Sequence, residues 1–284
     1  LYTLSEIAEP TLKAAETPDM DIWQRIDYGK KIRNYGLLRG ASSLTAFTSL
    51  RSSTVGRFVS MAGFGYDEST TVCPPDDSAA LRAFLSVNAY YQLDDTPAPE
   101  GFVYDHDENG IAVYVNPNAV PMGFLQTTCT GTYHQRMDSE TVPTVMLAAV
   151  TLGDDDLAVY RDRMQTLDVY NIPDWSESVA RLKQNACNGF DTTANGFIAH
   201  IDAKEAGILV FTIPFDKGFS ATVDGKKTEI VNCDVAFMGI WVEPGEHEIV
   251  FTYRTRGLTL GMLMSAAAAV VLAGYVFIVR RRAA

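Results

Sequence analysis

GLTLGMLMSAAAAVVLAGYVFIV, running from Gly257 to Val279, decides how the rest of the chain is read. It holds no formal charge. At about 1.5 Å per residue it makes a helix of roughly 34 Å, against a bilayer hydrocarbon core of about 30 Å. A buried core helix is usually shorter and broken by a polar stripe, so residues 257–279 read as a membrane span. Arg280, Arg281 and Arg282 open a basic tail over 280–284. By the bias of basic residues toward the cytoplasmic side, the tail is expected inside and everything before Gly257 outside. Gly257, Gly261, Ser265, Ala269 and Ala273 recur at every fourth position, a strip that lets another helix approach closely.

Working outward, the body before the span is strongly acidic. It holds all 35 Asp and Glu but only 20 of the 23 Lys and Arg, a net charge of −15. That argues against nucleic acid or anionic lipid as a partner, since both demand a basic surface. A hydrophobic share of 47 % is ordinary for globular protein, and the length suffices for one large or two moderate domains. The chain opens on Leu1 without a signal segment, so residues 1–20, polar and interrupted by Pro10 and Pro18, are expected to be a linker from an upstream membrane region. Cys73, Cys129, Cys187 and Cys233 allow three complete pairings or a set of buried free thiols, and none sits in a C-x-x-C or histidine cluster. No metal and no cofactor is expected.

Periodicity divides the body in two. Residues 21–190 read as a mixed α/β region: a strand over Asp21–Tyr28, a helix within Ala41–Thr54 carried by Leu44, Phe47 and Leu50, a helix over Asp76–Leu85 and a strand over Ser86–Leu93. Gly101–Tyr104 and Ile111–Val115 flank Asn109-Gly110, a strong hairpin signal. The run Asp105 to Gly110 also matches the first half of a calcium loop, but the position six residues after Gly110 is Asn116 where such a loop needs Glu. Val120–Thr128 is a further strand, Asp138–Leu152 a helix, and Asp154-Asp155-Asp156 supplies carboxylates to the start of another. Asp174 to Glu177 has capping-box spacing before a helix that buries Trp175, Val179 and Leu182.

From Gly196 the period changes to two. Phe197–Ile201, Ile208–Ile213, Phe219–Val223, Thr228–Val231, Phe237–Val242 and His247–Tyr253 are short strands between Gly, Asp and Pro turns, so residues 191–256 are expected to form an antiparallel β-sandwich. The fold class is α+β, with one C-terminal transmembrane helix. Neither a G-x-S-x-G elbow nor an H-E-x-x-H run occurs, and His106, His134, His200 and His247 are scattered, which speaks against an independent hydrolase. Phe215, Asp216, Lys217 and Phe219 make the best candidate contact group for a ligand.

Several segments resemble the exterior C-terminal part of the YfhO family of multispanning bacterial membrane proteins. They are Gly101-Phe102 through Val113–Asn116 to Pro121–Phe124; Ile213–Ala221 with Val223–Lys226; Phe237–Ile240; and Gly245–His247 with the Tyr253 junction to the span. Phe215 and Phe219 stand where that family more often has Tyr and Trp. The resemblance implies a protein related to GT-C glycosyltransferases, which moves sugar outside the membrane from a polyprenyl-phosphate carrier to an envelope polymer such as lipoteichoic acid. It further implies partner transmembrane helices upstream, an early exterior loop holding the catalytic acid, and hence no catalytic residue here. The bilayer, the lipid-linked sugar and the polymer are the partners implied, with this chain helping to position the acceptor. The alternative is a non-catalytic envelope module that assists assembly or export of a surface polymer.

Overall fold

The computed structural model describes residues 23–28, 36, 40–45, 52–66, 72–75, 78–131 and 137–283. The expected linker over 1–20, the helix-forming Phe47 and Leu50, Asp76 and His134 lie outside them, as does the Cys73 side chain. In chain order the first half carries β1 (Arg25–Tyr28), β2 (Ser42–Ser43), α1 (Ser53–Met61), β3 (Gly65–Tyr66), β4 (Val72–Cys73), α2 (Ala79–Phe84), β5 (Val87–Gln92), β6 (Val103–Glu108), β7 (Ile111–Val115), β8 (Phe124–Gln126), β9 (Thr128–Thr130) and α3 (Thr141–Ala148). The second half carries β10 (Val150–Thr151), α4 (Asp154–Tyr160), β11 (Gln165–Thr166), α5 (Trp175–Gln184), β12 (Gly189–Thr193), β13 (Gly196–Ala203), β14 (Gly207–Pro214), β15 (Phe219–Val223), β16 (Lys226–Thr228), β17 (Val231–Cys233), β18 (Phe237–Val242), β19 (Gly245–Tyr253) and α6 (Leu258–Ala283).

β14 is the centre of the body because its GILVFTIP run is buried on both faces. Leu209 and Phe211 point into a core shared with Phe197, Ile201, Ala221, Met238, Ile249 and Phe251. Ile208 and Val210 point the other way, into a core shared with Leu81, Phe84, Phe124, Leu147 and Leu182 from the helical layer. One antiparallel sheet, in order β17-β18-β14-β8, therefore lies between the five-stranded antiparallel sheet β12-β13-β19-β15-β16 and the helices α2, α3 and α5. Alternation along β13, with Phe197, Ala199, Ile201 and Ala203 inward, is the pattern of a half-buried strand. Gly196 opens that strand because a Cβ there would meet the Phe251 carbonyl oxygen at 1.9 Å.

The helices start where side chains can cap them. Ser52 Oγ accepts from Val55 N–H at 3.3 Å, and Asp174 accepts from Ser176 N–H at 2.9 Å, each satisfying an otherwise unpaired first-turn donor. Asp154, Asp155 and Asp156 lie in the first turn of α4, at the positive end of its dipole. The helix expected within Ala41–Thr54 is corrected at Ser42-Ser43, which is extended and pairs in parallel with β1; Ser53 and Thr54 open α1, and residues 46–51 lie outside the described residues. Likewise Thr228–Val231 is not one strand, because Glu229-Ile230 carries the chain from the outer sheet at β16 to the inner one at β17.

The first sheet, in order β2-β1-β5-β7-β6, is parallel at β2-β1-β5 and closes with the β6–β7 hairpin, whose Asn109 and Gly110 both have positive φ. Asp105 to Glu108 lie in β6, with Asp105 at a bulge and His106 to Glu108 paired with β7, not as a loop folded round an ion. Two arginines, Arg82 buried and Arg25 half-buried, tie this sheet to its surroundings. Arg82 Nε on α2 donates to Asp27 Oδ2 on β1 at 2.8 Å, both side chains being 3 % exposed. Arg25 reaches Leu85 O at 2.6 Å, and Thr212 Oγ1 and O on β14 at 2.9 and 2.6 Å, with desolvation lowering its pKa to about 10.

The β17–β18 turn holds a second buried carboxyl. Asp234 and Val235 adopt φ of 48° and 71°, the paired left-handed conformations of a type I′ turn. Asp234 is fully buried; its N–H donates to Thr151 O and its Oδ1 accepts from Thr151 N–H, each at 2.9 Å. Burial pushes its pKa up to about 7 against the opposing Thr151 bond. A carboxyl raised in the folded state binds its proton more tightly there. Its contribution is therefore largest below the unfolded value near 4, falls as pH rises to about 7, and is flat above. Asp234→Asn keeps the acceptor, tolerates the left-handed backbone and removes the charge. The expected result is a variant more stable than the parent at pH 8 by about 3–4 kcal/mol, the gap closing toward pH 4; urea midpoints across that range check it.

Cys129, Cys187 and Cys233 are buried free thiols, and burial pushes the Cys187 and Cys233 thiols up, out of reach of thiolate chemistry. Beyond β19, α6 extends for 26 residues with its apolar side chains exposed along its length, long and apolar enough to cross a membrane.

Candidate functional site

The polarity of β19 orients the sandwich. It runs directly toward α6, and the four residues Arg254–Gly257 between them reach at most about 14 Å. The Tyr253 end of the sandwich is therefore the span end. Antiparallel register brings Gly196, paired with Thr252, and Phe219, paired with Tyr253, to the same end, along with Pro214 of β14.

The four residues singled out in the sequence sit there, in the β14–β15 loop. Phe215 N–H donates to Ala236 O at 2.6 Å, Asp216 Oδ1 accepts from Gly218 N–H at 2.7 Å, and Arg254 N–H donates to Gly218 O at 2.9 Å. The Phe219 ring lies 4.8 Å from Tyr253 and 6.3 Å from Phe251; both phenylalanines are half-buried against the sandwich core. Asp216 and Lys217 are exposed at the tip. The loop thus offers two charged side chains on an apolar base rather than two open ring faces. The one tryptophan of the sandwich, Trp241, is likewise engaged: Tyr160 stacks on it at 5.4 Å, the Arg163 guanidinium lies 3.9 Å from its centroid, and its Nε1 donates to Glu243.

At the opposite end a polar cleft of about 520 Å³ opens between β9, β11 and α5. Gln165, Thr166, Asp168, Asn171, Arg181 and Glu205 supply its polar lining, Glu205 coming from the β13–β14 turn. The cleft is a consequence of packing. Arg181 spends its Nη2 on Gln126 Oε1 at 3.1 Å and on the Leu147 and Ala148 carbonyls that end α3, while Gln126 Nε2 donates to Met146 O and Leu147 O. Desolvation lowers the Arg181 pKa. Asp168 accepts from Asn171 Nδ2 at 2.6 Å and from Tyr170 N–H at 3.0 Å, bonds that hold its carboxyl below the usual range, so it stays an acceptor and not a proton donor. Tyr170, between these two lining residues, is 92 % exposed. Such a cleft can accept and donate hydrogen bonds to hydroxyl groups. Sequence reading missed it because its residues come from four separate segments, and only the Asp168–Asn171 turn carried a local signal.

Fold and site define a class: an α+β protein whose β-sandwich body leads straight into a single C-terminal apolar helix. Residues 151–265 match the model of the family described as bacterial membrane protein YfhO. That stretch runs from the end of β10 through the whole sandwich and into the first turns of α6, and it takes in the segments from Ile213 to His247 on which the resemblance rested. No curated protein and no solved structure matches the chain.

Proposed function

We propose that this chain is the exterior part of a membrane glycosyltransferase, one that holds the acceptor polymer while sugar is moved to it from a polyprenyl-phosphate carrier. The observation that carries the reading is the YfhO match over the sandwich and the start of α6, which makes body and helix one unit. In this reading α6 spans the membrane with its Arg280–Arg282 end inside and the body outside. The acceptor polymer lies in the cleft of Gln165, Asp168, Asn171 and Glu205. The cleft and the Phe215–Phe219 loop lie at opposite ends of β14, eight residues or about 26 Å apart. Contacts so far from a membrane-bound donor bind the acceptor equally in ground and transition states. They lower KM without changing kcat.

Tyr170→Ala combined with Gln165→Ala, both exposed and remote from the cores, is expected to raise the acceptor KM about five- to ten-fold with kcat unchanged, the loss of one stacking contact and one hydrogen bond. Steady-state transfer over a range of acceptor concentration measures this; an unchanged KM removes the acceptor from the cleft.

A further inference from the structure

The two ends of the sandwich differ in charge. Acids outnumber bases at the far end, where Asp202, Glu205, Asp224, Glu243, Glu246 and Glu248 gather; Lys204 is bonded to Asp202 and Arg163 to Glu243. At the span end the order reverses. Lys217, Arg254 and Arg256 are all exposed there, and among the described residues no ion pair engages them. The neighbouring acid, Asp216, turns its Oδ1 inward to Gly218 N–H. Glu229, near the same level by register, is a second acid there, and its charge raises the pKa values of Asp156 and Tyr160 of α4, so three cations stand against two acids. Arg254 is fixed in place, with its backbone bonded to Gly218 and its Nη2 donating to Thr259 Oγ1 in the first turn of α6 at 2.8 Å. Phe215, Phe219 and Tyr253, half-buried, belong to the same loop and strand ends as the three cations. Cations and aromatic residues within one short linker of a span lie at headgroup level.

We infer that Lys217, Arg254 and Arg256 form a docking surface for anionic lipid headgroups of the leaflet next to the body. The net charge of −15 excludes a membrane-facing role for the body taken whole, because it would be repelled from an anionic surface. Concentrating three cations at the root turns that repulsion into orientation: the acidic far end is pushed away while the span end is held down. The surface needs only that α6 spans, and it does not depend on the transfer reaction.

The test uses the full chain in lipid nanodiscs, in a background with Arg280, Arg281 and Arg282 changed to Gln so that the tail cannot report instead. Hydrogen exchange of 215–219 and 254–257 is compared between phosphatidylcholine alone and the same lipid with about 30 % phosphatidylglycerol. Exchange in both segments is expected to slow about five-fold with the anionic lipid, to recover in about 0.5 M salt, and to be insensitive to lipid in Lys217→Glu/Arg256→Glu. Retained protection of β14 and β18 shows that the variant is folded, and Lys217→Gln/Arg256→Gln repeats the comparison with a smaller change. Equal exchange in the two lipids, or slowing that persists in the folded variants, overturns the inference.

Discussion

Phe251→Ala is expected to destabilise the protein by about 3–5 kcal/mol. Phe251 is fully buried at the centre of the sandwich, stacked on Phe197 at 4.5 Å and 19° and set edge-on to Phe211 at 4.9 Å and 76°. Truncation removes the transfer free energy of a benzyl group and leaves a cavity walled by rings. Those rings are themselves held by β13 and β14 and cannot collapse into it. Phe251→Leu, which keeps most of the volume, should lose less than half as much. Urea unfolding followed by the fluorescence of Trp23, Trp175 and Trp241 reads both. A loss under about 1 kcal/mol for the alanine variant would mean that the two sheets do not share one close-packed core.

Asp27→Ala should cost about as much, by a different route. The variant removes the carboxylate that accepts from the buried Arg82 Nε, and breaking a buried ion pair by truncating one partner typically costs about 3–5 kcal/mol. Arg82 Nη1 keeps its bond to Pro75 O at 2.7 Å, which holds the side chain in place rather than letting it swing out to water. Replacing both partners together, Asp27→Leu with Arg82→Met, is expected to recover most of the loss, since a buried pair is itself close to neutral against apolar residues of similar size. Failure of the double variant to recover would show that the pair's other hydrogen bonds, to Tyr28 N–H and Pro75 O, dominate.

The sandwich was legible because its information is local. Phe219–Val223 and Phe237–Val242 begin and end where period and turn residues say they should, and Asp224-Gly225 takes the two positive φ values that a tight hairpin turn demands. The span was legible from length and composition alone. What escaped depends on partners distant in sequence. Nothing near Phe124–Gln126 says that this strand pairs with Ile208–Val210, and that pairing places the helical layer against the sandwich. At Ser42-Ser43 strand pairing to β1 takes residues that the composition suggested for a helix, and Ser52 marks the start of α1 as its cap. The cleft is the extreme case. Its lining comes from residues scattered over separate elements, so no periodic constraint shapes it, and it exists only because α5, β9 and β11 meet. The Phe215–Phe219 loop was visible as a turn with flanking rings. Its position at the span end was not, because that follows from strand register.

The most direct test of the acceptor-holding role is sugar transfer by the full-length protein in membranes supplied with a labelled polyprenyl-phosphate sugar and envelope acceptor, comparing intact protein with a form lacking residues 20–256. The account predicts that transfer is lost while membrane insertion stays normal. Transfer that survives the deletion would contradict it.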